Sequence, residues 1–263
     1  MKPVIVMAGT PVDTQMGVDC LTAHGLTGLF CPVSTDPNQQ TAFQISSMAE
    51  KVAAVTALLR SAQETHGCEK AFIYCNSLSG SVDFGPIARE TGLRIVTPLD
   101  VYRRLAPRYH SLAVIAANAQ GTAGIERTLL TANPALTLRS TGLLPVVLSI
   151  EAGEPPEELV ARHRLPELCA WYESVGAEAL VLGCTHFPLL QEELQRVLPE
   201  GTRLIDSGAA IARRTAWLLE HEAPDAKSSD ENKAFCMALT AETEQLLPVL
   251  HRYGFPTLEK LPL

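Results

Sequence analysis

The feature that most constrains this chain is the recurrence of short apolar runs, at residues 4–7, 71–74, 112–116 and 179–182, with helical patterns between them. Such alternation predicts an α/β fold built on mostly parallel sheet. Between the first two runs, Ile45, Met48, Val52, Val55, Leu59 and Ala62 recur at steps of three and four residues. That spacing predicts one helix whose apolar stripe packs on the sheet. Residues 156–175 also read as helical, with Pro166 splitting them into two pieces. Residues 221–232 are polar and predict an exposed loop before the apolar run at 235–239. A chain of 263 residues with 46% hydrophobic content supports either one large α/β domain or two small ones.

The formal net charge of −8 argues against nucleic acid or an anionic membrane surface as partner, since both require a basic face to replace counterions. The first thirty residues show no signal-peptide pattern, and no apolar run reaches membrane-spanning length. A cytoplasmic protein acting on a small molecule is the expectation, with a homodimer left open.

Seven cysteines, scattered and odd in number, do not form a disulfide framework, and no pair has Cys-x-x-Cys spacing. For Cys20, Cys31, Cys68, Cys169 and Cys236 the expected role is that of a small buried hydrophobe, with Cys31 placed in a loop. Cys75 and Cys184 differ because their surroundings echo each other. Phe72-Ile73-Tyr74-Cys75-Asn76-Ser77 resembles Leu180-Val181-Leu182-Gly183-Cys184-Thr185, an apolar strand ending at a thiol followed by small hydrogen-bonding residues. Each thiol is thus expected where a parallel strand hands over to a helix. There, unpaired backbone N–H groups and the helix dipole favour a thiolate, while Asn76, Ser77 and Thr185 can cap the helices or bind a carboxylate.

The run from Val181 through Gly183, Cys184, Thr185, His186, Phe187 and Pro188 to Leu190 resembles the signature around the second catalytic cysteine of glutamate racemases. Leu204 to Gly208 and the following residues to Arg214 are similar to the same family, and Cys75-Asn76-Ser77 resembles its first cysteine motif, Cys-Asn-Thr. The resemblance places the chain in the aspartate/glutamate racemase superfamily. It implies two pseudo-symmetric α/β domains, residues 1–97 plus 207–263 and residues 98–206, with the active site between them. It further implies Cys75 as the base acting on the D-isomer, Cys184 as the base acting on the L-isomer, and Asp13, His186 and Glu151 as their catalytic support. Thr14, Asn76, Ser77, Asn118 and Thr185 fall at substrate-binding positions, and no cofactor or metal is implied. Three departures put glutamate specificity in question. The family's Asp-Ser-Gly is replaced by Ala8-Gly9-Thr10 with Asp13 following, its Pro-Tyr-Gly loop by residues 32–37, and its Gly-Thr by Ala117-Asn118.

Racemisation without a cofactor needs one group to remove the α-proton and another to deliver a proton to the opposite face. Two facing thiols meet that demand, provided one is ionised while the other keeps its proton. Hydantoin racemisation, maleate isomerisation and arylmalonate decarboxylation occur on the same scaffold and stand as alternatives. From other classes, a metal-binding module using Cys75, Cys184 and His186 and an inactive amino-acid-binding relative are further alternatives.

Overall fold

The computed structural model describes residues 2–198 and 202–206. Its first half runs β1 (Val4–Ala8), α1 (Pro11–Thr22), β2 (Gly28–Pro32), α2 (Pro37–Ile45), α3 (Met48–His66), β3 (Lys70–Ile73), α4 (Asn76–Ser81), α5 (Phe84–Thr91) and β4 (Arg94–Val96). The second half runs α6 (Pro98–Leu105), β5 (Ser111–Ala116), α7 (Ala119–Ala132), β6 (Thr137–Gly142), α8 (Leu144–Glu151), α9 (Pro156–Arg162) and α10 (Leu165–Ser174). It closes with β7 (Ala179–Gly183), α11 (Gln191–Val197) and β8 (Arg203–Asp206). Among the described residues the strands form two four-stranded sheets, ordered β2-β1-β3-β4 and β6-β5-β7-β8, with each of these pairings parallel. Numbered within its own half, each sheet has the order 2-1-3-4. The cysteine echo in the sequence therefore reflects a repeated winding.

All five residues of β1 and all five of β7 are buried, which is why these strands read as unbroken apolar runs rather than alternating ones. Helices cover both faces of each sheet. Val55, Leu59 and Ala62 of α3 join the core of the first sheet, and Ile125 and Leu129 of α7 join that of the second.

The single helix expected through Ile45 and Met48 is two helices, and those two side chains are 66% and 50% exposed. Ser46 is extended with ψ at 171°, and Ser47 caps α3 in a reciprocal capping box with Glu50. The local cap overrides the apolar periodicity across residues 45–48. In 156–175 the expected division does occur, with Pro166 in the first turn of α10. Cys31 lies on strand β2, buried, and not in a loop. The segment 207–263 expected to complete the first domain lies outside the described residues, as do the loop at 221–232, the run at 235–239 and Cys236.

The two halves meet where α4 crosses α7. A Cβ placed on Gly124 would lie 2.3 Å from the Cα of Gly80, so the two backbones touch and any side chain must push them apart. The Gly124→Ala variant is expected to lose about 1–3 kcal/mol of stability as an overpacking substitution, read as a lower urea midpoint. An unchanged midpoint would show that the halves separate without cost.

Candidate active site

In a sheet ordered 2-1-3-4 the chain leaves its first strand toward one edge and its third toward the other, which opens a crevice beyond their carboxyl ends. One such crevice lies at β1 and β3, the other at β5 and β7. The peptide segments leaving those four strands are Gly9-Thr10, Tyr74-Cys75, Ala117-Asn118 and Cys184-Thr185-His186. Cys75, Asn76, Ser77, Asn118, Cys184, Thr185, His186 and Asp13 line one cleft between the two sheets. Glu151 reaches it through His186. Thr14 does not reach it: this buried hydroxyl donates to the Thr10 carbonyl at 2.7 Å, inside α1.

Cys184 lies 3.6 Å from Nδ1 of His186, whose Nε2 is 2.7 Å from Oε1 of Glu151. His186 and Glu151 are both buried, at 2% and 8% exposure. Burial alone would push the imidazole down, but its contacts with Cys184 and Glu151 hold it well above its ordinary range. The imidazole beside Cys184 is thereby biased toward its protonated form.

Cys75 has different support. Its Sγ receives Nε2 of Gln40 at 3.1 Å and lies 3.5 Å from Oγ of Ser77. The sequence expectation that a helix start favours this thiolate does not hold in the closed cleft. Burial, and after it the Asp13 carboxyl, push the Cys75 thiol up to about 12 against the weaker help of Ser77 and the Leu78 N–H. The helix behind it, α4, has only six residues, and Cys184 is followed by a 3-10 turn at Phe187–Leu190 rather than directly by an α-helix. Short helices supply too small a field to offset desolvation.

Asp13 occupies the third position of α1 and is itself buried. Its Oδ1 accepts the Thr10 N–H at 2.6 Å and lies 3.0 Å from the Thr10 hydroxyl, while Oδ2 accepts from Gly9 N–H and the Thr185 hydroxyl at 3.2 and 3.3 Å. Burial raises this carboxyl, opposed by His186 and the Thr10 hydrogen bonds and reinforced by the charge of Glu151.

Sequence reading missed the contribution of α2. Asp36 caps this helix through the N–H groups of Asn38 and Gln39, with Pro37 in its first turn, which sets Gln40 and Gln44 one helical turn apart on the cleft side. Gln44 donates to Ser77 Oγ at 2.8 Å and accepts from Asn118 Nδ2 at 2.9 Å, while Asn118 Oδ1 caps α7 at Gly121. These amides bridge the two halves. The Asp-Pro start and the Gln-x-x-x-Gln spacing were the available signals. Thr10 was also missed, although Thr10-x-x-Asp13 is a capping-box spacing.

The cleft is nearly filled by its own side chains, with a cavity of about 10 Å³, room for about one water. Gln40 packs directly over Gly9, where a Cβ would come within 1.8 Å of its Nε2. An amino acid can enter only if α2 and the facing wall move apart.

Two matching parallel-sheet units that bring a thiol each to one buried, acid-lined cleft define a racemase-type α/β architecture. A family model described as Asp/Glu/Hydantoin racemase matches residues 22–215, and the chain belongs to that family. The crystal structure of Escherichia coli glutamate racemase in complex with L-glutamate and activator UDP-MurNAc-ala is 35% identical. That match covers 97% of this chain and 96% of the other, with a TM-score of 0.69. The curated glutamate racemase of Klebsiella pneumoniae (strain 342) is 96% identical over 86 residues, a stretch covering 33% of this chain and 30% of that relative. The matched stretch thus spans less than a third of this curated relative. Allantoin racemase from Klebsiella pneumoniae shares the fold at a TM-score of 0.57 and 21% identity, covering 92% of this chain and 98% of the other.

Proposed function

We propose that this protein racemises glutamate or aspartate without a cofactor, with Cys75 and Cys184 as the acid/base pair. The observation that carries the reading is that both thiols end equivalent strands and line one cleft, each beside its own buried carboxyl: Asp13 near Cys75, and Glu151 behind His186 at Cys184. On the D-isomer, the Cys75 thiolate takes the α-proton while Cys184 delivers one to the opposite face. The L-isomer runs the reverse. Asn76, Ser77 and Thr185, with the N–H groups at the start of α4, hold the substrate carboxylate and stabilise charge developing toward it in the transition state. Closure of α2 excludes water from the carbanion-like transition state.

The two domains, 1–97 with 207–263 and 98–206, supply one thiol each, a division supported by the repeated strand order. A cytoplasmic setting fits the six free cysteines of the described residues. Among those residues no helix is long and apolar enough to cross a membrane. The acidic chain is read as acting on a small molecule, with no nucleic-acid or membrane partner and with a homodimer as its assembly.

One observation favours a second reading. Among the described residues, no lysine or arginine lines the cleft, and its side-chain wall carries the carboxamides of Gln40 and Asn118. Such a wall suits a neutral hydantoin as well as a second carboxylate. The test is incubation of the full chain with separate enantiomers of glutamate, aspartate and a 5-substituted hydantoin in D₂O, following chirality and α-deuterium. Inversion of glutamate or aspartate with solvent deuterium gained at Cα supports the first reading. Inversion of the hydantoin alone replaces it with the second.

A further inference from the structure

Thr10 lies between the two halves of the acid/base machinery. Its hydroxyl oxygen is 3.0 Å from Asp13 Oδ1 on its own helix and 2.8 Å from Glu151 Oε1 in the other half of the fold. A threonine hydroxyl has one proton to donate and lone pairs to accept with. It cannot donate to two carboxylates at once. Thr10 is fully buried, Asp13 is 1% exposed and Glu151 8%, so the contact is shut off from bulk solvent, and Asp13 Oδ1 also accepts the Thr10 N–H at 2.6 Å. Both contacts are satisfied together only when one carboxyl carries a proton and donates it to the hydroxyl while the hydroxyl donates to the other.

We propose that Asp13 and Glu151 share a single proton across the Thr10 hydroxyl, and that the position of this proton sets which of the two thiols is ionised. The transfer balances without any co-reactant. As the carboxyl proton of Asp13 passes to Thr10 Oγ1, the hydroxyl proton of Thr10 passes to Glu151 Oε1. One O–H bond breaks and one forms at the hydroxyl, and the pair keeps one proton and one negative charge throughout. With the proton on Asp13, the charge that opposes ionisation of Cys75 is removed, and Glu151 neutralises His186 behind Cys184. With the proton on Glu151, Asp13 is anionic beside Cys75, and the uncompensated imidazolium of His186 favours a thiolate at Cys184. Each turnover exchanges the protonation states of the two thiols, and the shared proton follows in compensation. The charged or titratable groups bearing on Cys75 are Asp13 from α1 and Cys184 from the loop after β7. Those bearing on Asp13 are His186 and Glu151. Thr10 touches neither thiol and acts as a positioning residue through the two carboxyls.

The inference rests on the two-thiol reading for its meaning in catalysis, but its test needs no substrate and no turnover. Alkylation of Cys75 by iodoacetamide reports its thiolate fraction and is followed by peptide mass spectrometry on the full chain across pH. Glu151→Gln removes a carboxylate charge that raises the Asp13 carboxyl, so Asp13 ionises more readily and Cys75 less. In the native background, and in Thr10→Ser, which keeps the hydroxyl, Glu151→Gln is expected to slow alkylation of Cys75 about tenfold at fixed pH. In Thr10→Val the same change is expected to slow it less than about threefold, the difference being the coupling carried by the hydroxyl. Should Thr10→Val not fold, as judged by circular dichroism, Thr10→Ala removes the same hydroxyl. An equal effect of Glu151→Gln in all backgrounds, or none in the native one, overturns the shared proton. A chain that shows the coupling but racemises no tested substrate retains the inference and loses the proposed activity.

Discussion

Cys75→Ser and Cys184→Ser are each expected to lower racemisation by about 10²–10⁴-fold, the contribution typical of a positioned acid or base. A serine hydroxyl is far less acidic than a thiol and cannot supply a base at neutral pH. The two changes combined should cost little more than either alone, because one reaction needs both groups and such losses do not add. Exchange of the α-hydrogen separates the two roles. In D₂O, Cys184→Ser should still wash deuterium into the D-isomer faster than into the L-isomer, since Cys75 remains to remove and return that proton on its own face. Cys75→Ser should show the opposite preference. Equal exchange of both enantiomers in either variant would contradict the assignment of one thiol to each face, and near-native racemisation in both would end the two-thiol reading.

The second large effect falls on stability. His186→Leu leaves Glu151 buried with the Thr10 hydroxyl but without its cationic partner, and breaking a buried ion pair from one side costs about 3–5 kcal/mol. Urea denaturation should show this loss, and its pH dependence has a defined sign. The histidine is held well above 6.5 in the fold, so the native state binds its proton more tightly than the unfolded chain does. Its contribution is therefore fully present below about pH 6.5 and is lost as pH rises through the raised native value. The gap between native protein and His186→Leu should narrow on going from about pH 6 to about pH 9. A gap that is constant, or that widens with pH, would show that His186 is neutral in the fold. The same variant should also slow alkylation of Cys184, which loses the donor 3.6 Å away.

Much of this was legible in the sequence, for a local reason. A parallel strand covered on both faces must be apolar throughout, so β1, β3, β5 and β7 announce themselves as runs. The turn that ends such a strand must carry small capping residues, so Cys75-Asn76-Ser77 and Cys184-Thr185 stand out against it. The split at Pro166 followed from the missing N–H of proline alone. Where two local signals competed, the weaker one misled: the apolar stripe ran through residues 45–48, but Ser47 and Glu50 satisfied the N–H groups of a new helix and left Ile45 and Met48 in solvent.

What the sequence by itself determined was the α/β class, the two thiols and their nearest polar neighbours, because these depend on residues adjacent along the chain. What only the tertiary structure decided was which distant side chains stand behind each thiol. Thr10 meets Glu151 across 141 residues, and Asn118 meets Gln44 across 74. Thr14, next to Asp13 in sequence, faces inward along α1 and is excluded from the cleft. The acidity of Cys75 was likewise decided in three dimensions. The N–H groups that favour its thiolate come from the next helical turn and can be read locally, but the desolvation that opposes them comes from α1, α2 and the second sheet closing over it. In a site this dry the loss of water outweighs a single short turn of dipoles.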